Sequence, residues 1–206
     1  MKNILIPTDF SENSKRALRY AQILFSSVEC NFYVLYVGTL LDTQTDSVKT
    51  SKKTGKDIST GNTKEKLVDL VEECKRHSTE ANHYFYALHE YGFFIQSIKK
   101  NLEEHQIDLI VMGTNGASGI KEKVVGSNAG DVITKVQCNT LVIPEKVIFS
   151  RPKEIAFPTD FNIFYSHGII SSMAEMLQLG PGKLRVMNVI KNGDELNMDQ
   201  KKNREY

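Results

Sequence analysis

The sequence lacks several features that would assign it to a common class. No run of about 18 apolar residues, the length a membrane-spanning helix requires, is present. The formal net charge is only +1, so the basic excess typical of nucleic-acid-binding proteins is missing. Cys30, Cys74 and Cys138 have no CxxC spacing, which favours buried, reduced thiols in a cytoplasmic protein. We therefore expect neither a membrane nor a nucleic acid as partner.

Catalytic motifs are missing as well. The sequence has no G-x-x-x-x-G-K-[ST] loop and no G-x-G-x-x-G after a predicted strand. No Ser-His-Asp set or His/Glu metal pair is visible. His77, His83 and His89 are six residues apart, which is no metal-ligand spacing, and they are predicted to lie on the surface. We assign no catalytic and no metal-binding residue.

The sequence alternates between patterns typical of strands and patterns typical of helices. Strands are predicted at 2–7, 32–37, 84–89, 108–112 and 140–143, and helices over 12–27, 63–77, 93–104 and 128–136. Either Ser11 or Asp9 is expected to cap the first helix. Residues 38–62, rich in Thr, Ser, Lys, Asp and Gly, are predicted to form a long loop. The alternation predicts an α/β fold, with a parallel sheet covered by helices on both faces.

The opening segment has a second copy. Residues 2–10 align with residues 153–161 at a constant offset of 151, and the tetrad Pro-Thr-Asp-Phe is identical in both. Residues 34–37 are similar to residues 186–189, with one residue inserted before the second match. This duplication predicts a complete domain over 1–146 and the N-terminal part of a second domain over 151–206.

The second copy is expected to be incomplete. It has a strand, a helix over 164–179, a second strand near 183–190 and then a polar tail. Two parallel strands with one helix cannot bury both faces of a sheet. The chain is therefore either a fragment of a longer tandem protein, which we favour, or it ends in a half-domain that packs against the first domain or against another chain.

A glycine pattern follows the fourth predicted strand. Two residues separate Gly113 from Gly116, and nine residues separate Gly116 from Gly126-Ser127, where a helix is predicted to begin. Glycine lets a backbone approach an anion closely, and the free N–H groups of a first helical turn favour negative charge. The pattern predicts a phosphate site, with plain turn glycines as the alternative.

These features resemble the universal stress protein family. Its ATP motif is Gly-x2-Gly-x9-Gly-[Ser/Thr], which the residues from Gly113 to Ser127 match in spacing. The Pro-Thr-Asp-Phe-Ser turn, the Leu-Tyr-Val that ends strand two and the Cys-Asn-Thr-Leu-Val-Ile-Pro that closes the domain fit as well. The resemblance implies a Rossmann-like, five-stranded parallel sheet of order 3-2-1-4-5, with ATP at the carboxyl ends of the strands and Mg²⁺ as an optional companion.

The resemblance also implies particular site residues. They are Thr8, Asp9, Val37, Met112, Gly113, Gly116, Gly126, Ser127 and Asn128. In this assignment Asp9 bonds the ribose and the backbone of Val37 meets adenine. Met112 and Gly113 line the base and ribose, and the remaining glycines with Ser127 and Asn128 meet the phosphates. Asp160, the counterpart of Asp9, has no phosphate loop and is interpreted as a structural copy.

The function implied is an ATP-binding stress-response or signalling module without efficient catalysis, with at most weak ATP hydrolysis or autophosphorylation. The alternative is a dimerisation or interaction module of the same fold that binds no nucleotide. An adenylyl-transferring enzyme is disfavoured because strand one ends in Pro-Thr-Asp-Phe rather than a Ser-Gly-Gly-type loop. The apolar edge strand Thr140–Ile143 is expected to pair two copies into a homodimer.

Overall fold

The structure, a computed structural model, describes residues 1–39, 63–78, 82–114, 126–180, 182–188 and 195–205. The chain divides into two compact units, Met1–Ile148 and Phe149–Tyr206. Within the described residues, no helix is long and apolar enough to cross a membrane.

The first unit is a five-stranded parallel sheet with helices. Its elements are β1 (Lys2–Pro7), α1 (Glu12–Leu24), β2 (Cys30–Gly38), α2 (Thr63–His77), β3 (His83–Tyr91), α3 (Phe94–Glu104), β4 (Leu109–Gly113), α4 (Ser127–Lys135) and β5 (Thr140–Ile143). The strand order is β3-β2-β1-β4-β5, and every neighbouring pair is parallel. The predicted fold class and strand order are confirmed. Of the predicted loop over 38–62, Gly38 belongs to β2, and 40–62 lies outside the described residues.

Both faces of the sheet are buried at its central strands, as their apolar sequences predict, whereas Tyr84 and Tyr86 of the edge strand β3 are exposed. Ile4, Leu5 and Ile6 are consecutive in β1 and fully buried, because helices cover a parallel sheet on both sides. One face carries a core that joins β1, β2 and β4 to α3 and α4, through residues such as Ile98 and Val132. The apolar stripes of α1 and α2 are buried on the other face. This packing fixes where the strands end, and so fixes the candidate site.

The second unit has fewer elements. It contains β6 (Glu154–Pro158), α5 (His167–Gln178), β7 (Lys183–Met187) and α6 (Met198–Glu205), with β6 and β7 in a parallel two-stranded sheet. The predicted strand near 183–190 ends at Met187, and residues 189–194 lie outside the described part. The polar tail, for which no element was predicted, ends in a helix, α6. A reciprocal capping box starts this helix: the Asn197 amide donates to Gln200 Oε1 at 2.9 Å and the Gln200 amide to Asn197 Oδ1 at 2.8 Å.

Candidate functional site

The candidate site lies at the carboxyl ends of β1 and β4. From β1 the chain builds outward through β2 and β3 on one side, and then returns to add β4 and β5 on the other side. The strand order therefore reverses between β1 and β4, which is where open α/β sheets bind ligands. Thr8 and Asp9 follow β1, and Gly113 ends β4. The topology thus brings together residues about a hundred positions apart in the sequence.

The turn after β1 is held by its own side chains. The Phe10 amide donates to Thr8 Oγ1 at 3.1 Å, and the Ser11 amide donates to Asp9 Oδ1 at 3.0 Å. Ser11 is the N-cap of α1, since its Oγ accepts from the Ser14 amide at 3.2 Å. Of the two predicted caps, Ser11 is therefore the right one. Asp9 folds the turn that leads into the helix.

Phe10 gives this turn its shape. Its φ is +62°, a left-handed conformation that costs a residue with a side chain roughly 1–2 kcal/mol. The Thr8 hydroxyl accepts from the Phe10 amide, and the Phe10 ring stacks on Tyr36 with ring centroids 4.8 Å apart. Strained backbone that is held in this way is typical of functional sites, and here it fixes the direction of Asp9.

The backbone of Val37 faces the same region. Leu35 accepts a hydrogen bond from the Thr8 amide at 2.8 Å, whereas Gly38 accepts one from the Gly92 amide at 3.0 Å. Alternate residues of β2 therefore face opposite neighbours, and Val37 has the same direction as Leu35. Since β1 ends opposite Leu35, the Val37 N–H and C=O point past the end of β1.

At the end of β4, Met112 and Gly113 have different surroundings. The Met112 side chain is only 5% exposed and belongs to the core, so its backbone is the part that lies at the site. Gly113 lies directly under Asn13, because a Cβ on Gly113 would be 2.5 Å from Asn13 Nδ2 and 2.7 Å from Asn13 Cγ. Asn13 is 7% exposed. Only glycine fits this position without displacing the amide.

The N-terminus of α4 completes the site. The Gly126 amide donates to the Thr114 carbonyl at 2.6 Å, which joins the end of β4 to the start of the helix. Gly126 is the N-cap and supplies no side-chain hydrogen bond to the first turn. Ser127 and Asn128 are exposed. The backbone N–H groups of this first turn suit an anion. Residues 115–125, and with them the predicted Gly116, lie outside the described part of the chain.

The second unit repeats the turn of the first. The Phe161 amide donates to Thr159 Oγ1 at 2.9 Å, and the Asn162 amide donates to Asp160 Oδ1 at 2.9 Å. Phe161 has a φ of +60°, close to that of Phe10. Thr159 also donates its amide to the Met187 carbonyl at 2.8 Å. The matching sequences thus adopt matching geometry.

The second turn differs in what covers it. Asn162 Nδ2 donates to the other oxygen of Asp160 at 2.7 Å, and the hydrogen bonds from Asn162 lower the pKa of this carboxyl. From α6, Gln200 Nε2 donates to the Asp160 carbonyl and Asn203 Nδ2 to the Phe161 carbonyl, both at 2.8 Å. The carboxylate and its turn are therefore engaged by side chains of the same unit.

The histidine and cysteine predictions have mixed outcomes. His83 is buried, with 8% exposure, so its assignment to the surface was wrong: Nε2 bonds the Phe25 carbonyl at 3.0 Å and the ring packs on Phe32. Cys30 and Cys74 are buried and Cys138 partly so. Burial raises the pKa of all three thiols to about 11. In the described ranges no three His, Cys, Asp or Glu residues form a metal-binding group.

Comparison with known proteins agrees with this fold. The sequence profile of the universal stress protein family matches residues 1–144. The universal stress protein MJ0531 of Methanocaldococcus jannaschii is 27% identical over 142 residues, which are 69% of this chain and 81% of that protein. The solved structure of the protein MJ0577 is 26% identical, with a TM-score of 0.53, and covers 71% of this chain and 98% of its own.

A longer solved structure resembles more of the chain. The universal stress protein from Archaeoglobus fulgidus DSM 4304 has a TM-score of 0.64 over 94% of this chain and 67% of its own, at 22% identity. At that identity the likeness concerns the fold. The profile match over most of the chain decides the assignment: the protein belongs to the universal stress protein family.

Proposed function

We propose that the first unit binds ATP at the carboxyl ends of β1 and β4. The observation that carries this proposal is the convergence of four elements where the strand order reverses. They are the Asp9 turn, the outward-facing backbone of Val37, Gly113 at the end of β4 and the N-terminus of α4. Each offers the group that one part of a nucleotide requires.

The residues present fit this ligand by their chemistry. The carboxylate of Asp9 accepts hydrogen bonds from ribose hydroxyls, and the N–H and C=O of Val37 match the donor and acceptor edge of adenine. The space left by the missing Cβ of Gly113 is taken by Asn13, so Gly113 offers its backbone to the ligand. The first turn of α4, from Ser127, provides N–H groups for phosphate oxygens. Bound Mg²⁺ would neutralise part of the phosphate charge.

In this proposal the protein binds the nucleotide without efficient turnover and acts as a cytoplasmic stress-response or signalling module. Among the described candidate residues, Asp9 is the one carboxylate, and its Oδ1 already accepts from the Ser11 amide. Phosphoryl transfer requires a positioned base and metal ligands in addition to a binding site. A module that binds no nucleotide is the competing interpretation.

The proposal is tested by two measurements on the full chain. Purified protein is denatured, and released nucleotide is identified by absorbance and mass. Protein freed of nucleotide is then titrated with ATP by calorimetry. We expect one ATP per chain. Absence of heat together with absence of a thermal shift would refute ATP binding and favour the interaction module.

We also propose that residues 151–206 begin a second domain of the same family. The repeated turn around Asp160 supports this assignment, since its hydrogen bonds and positive φ match those around Asp9. Because the Asp160 carboxylate is engaged by Asn162, the proposal assigns one nucleotide site to the chain.

We further propose that two copies pair through β5. This strand lies at the end of the sheet order and pairs only with β4 in the described sheet, and an apolar edge strand favours pairing with another strand. Light scattering is expected to give the mass of a dimer, and Val142→Lys, at mid-strand, is expected to shift it toward monomer. A wild-type protein that stays monomeric at high concentration would refute the proposal.

A further inference from the structure

The edge strand β3 has little of the protection that edge strands usually carry. In the described part of the chain it pairs with β2 alone, over all nine of its residues. Proteins usually protect such an edge with a short strand, a bulge, a proline or charged side chains. The register of β3 with β2 is continuous, and its sequence has no proline, no lysine and a single carboxylate, Glu90, near its end. Since β5 at the other edge has four residues, β3 is the longer edge.

Alternate residues of β3 turn their backbone groups away from β2. The Cys30 amide donates to the Asn82 carbonyl, and the Gly92 amide donates to the Gly38 carbonyl, both at 3.0 Å. Even-numbered residues of β3 therefore bond to β2, and odd-numbered residues direct their N–H and C=O groups outward along the edge. In the amino-terminal half of the strand, three residues point outward in this way: His83, Phe85 and Ala87.

The side chains between these positions form an exposed aromatic patch. Tyr84 and Tyr86 are 45% and 44% exposed. The Tyr86 ring stacks on Tyr33 with ring centroids 5.0 Å apart, and Tyr33 stacks on His105 at 4.5 Å. α2 packs over the other face of β3, where Phe85 is buried. The patch is thus supported from within the sheet, and its outer side is exposed.

The order of these residues matches itself when the strand is reversed. An antiparallel copy centred on Phe85 places His83 opposite Ala87 and Tyr84 opposite Tyr86. Outward-pointing residues then meet outward-pointing residues, as the hydrogen-bonded pairs of an antiparallel ladder require. The tyrosines fall in the non-hydrogen-bonded pairs, whose side chains come closest, and aromatic cross-strand pairs stabilise a sheet. No carboxylate, lysine or arginine lies within 83–87 to oppose the contact.

We propose that β3 pairs with β3 of a second copy of this chain, antiparallel and with the two-fold axis at Phe85. A second copy fits this edge because each exposed tyrosine then meets a tyrosine. The contact joins two five-stranded sheets into one continuous sheet. It uses the amino-terminal half of β3, so it leaves the carboxyl ends of the strands, with the proposed nucleotide site, uncovered. It is separate from the pairing proposed for β5.

Disulfide cross-linking of the full chain tests the register. In the proposed contact, residue 84 lies about 4.5 Å from residue 86 of the second copy between Cα atoms, which a disulfide can bridge. Two copies of residue 84, or two of residue 86, are diagonal neighbours at about 7–8 Å, which is too far. A mixture of Tyr84→Cys and Tyr86→Cys proteins is therefore expected to cross-link under mild oxidation, whereas neither variant cross-links alone.

The wild type is the blank for this experiment, because its own cysteines are buried or partly buried. Thermal unfolding checks that both cysteine variants are folded. Absence of a cross-link in the mixture, or equal cross-linking of one variant by itself, would overturn the proposal.

Light scattering at rising protein concentration measures the strength of the contact. Because the contact is short, we expect it to raise the mass above that of the β5 dimer only at high concentration. Tyr86→Lys removes both tyrosine pairs and adds a charge to the edge, so it is expected to weaken this association roughly tenfold. Ile23→Lys, at a site of 46% exposure on α1, is the matched control and should follow the wild type.

Each variant is compared with the wild type at the same concentration, so the result does not depend on β5, for which Val142→Lys is the corresponding variant. A folded Tyr86→Lys protein with the wild-type mass at every concentration would overturn the proposal.

Discussion

Replacing Asp9 with asparagine is expected to weaken ATP binding by roughly tenfold to a hundredfold, the range for losing a hydrogen bond to a charged group. The change removes the negative charge that would accept from the ribose hydroxyls. Asparagine keeps Oδ1, which accepts from the Ser11 amide at 3.0 Å, so the turn is expected to persist. Calorimetric titration with ATP measures the affinity, and circular dichroism confirms the fold.

The chain supplies its own control for this experiment. Asp160→Asn makes the same chemical change in the matching turn of the second unit, where Asp160 Oδ1 accepts from the Asn162 amide at 2.9 Å. We expect Asp160→Asn to leave ATP affinity and stoichiometry unchanged. An Asp9→Asn protein with wild-type affinity would remove Asp9 from the site. Equal losses in both variants would indicate a general electrostatic effect.

Much of the fold could be predicted because its elements follow strong local patterns. The predicted bounds of α2 and β5 coincide with the observed Thr63–His77 and Thr140–Ile143. An amphipathic stripe defines α2, and Pro144 ends β5. The predicted end of α1 at residue 27 was three residues too late, because the helix ends at Leu24 and the Phe25 amide closes its last turn on Ala21. Ends of helices are set by such local bonds, which periodicity does not record.

Features that depend on distant partners escaped prediction. α6 has no buried residue. Its contacts include a capping box and hydrogen bonds to a turn some forty residues earlier. His83 is polar and was expected at the surface, but its ring packs edge-on against Phe32 and Phe85 and bonds the carbonyl of Phe25. Neither environment can be inferred from neighbouring residues in the sequence.

The candidate site also combines features that the sequence predicts with features that it does not. The glycine spacing and the repeated Pro-Thr-Asp-Phe tetrad were visible in the sequence, and the strand order brings the ends of β1 and β4 together. The left-handed conformation of Phe10, with φ of +62°, has no sequence signal, because glycine is the residue expected there. Nor does the sequence reveal that Asn13 covers Gly113, a contact between residues a hundred positions apart.

The contact between Asn13 and Gly113 predicts the second large effect, which is on stability. Gly113→Ala is expected to lower the free energy of unfolding by about 2 kcal/mol, the middle of the range for overpacking a buried site. The new Cβ would lie 2.5 Å from Asn13 Nδ2, 2.7 Å from Cγ and 3.1 Å from Oδ1, so the whole amide must move. Since Asn13 is 7% exposed, it has little room to do so. Equilibrium urea unfolding measures the change.

Two further variants separate this clash from a general intolerance of alanine. In Gly130→Ala the new Cβ meets nothing within 4 Å, and because Gly130 lies inside α4, alanine there is expected to raise stability by about 0.5–1 kcal/mol. Asn13→Ala removes the obstructing amide, so the double variant Asn13→Ala/Gly113→Ala should be more stable than the sum of the single changes predicts, by about 1 kcal/mol or more. Strict additivity would mean that the two residues do not contact each other as described. Non-additivity would establish the Asn13–Gly113 contact as a link that holds the start of α1 against the end of β4, beside the proposed nucleotide site.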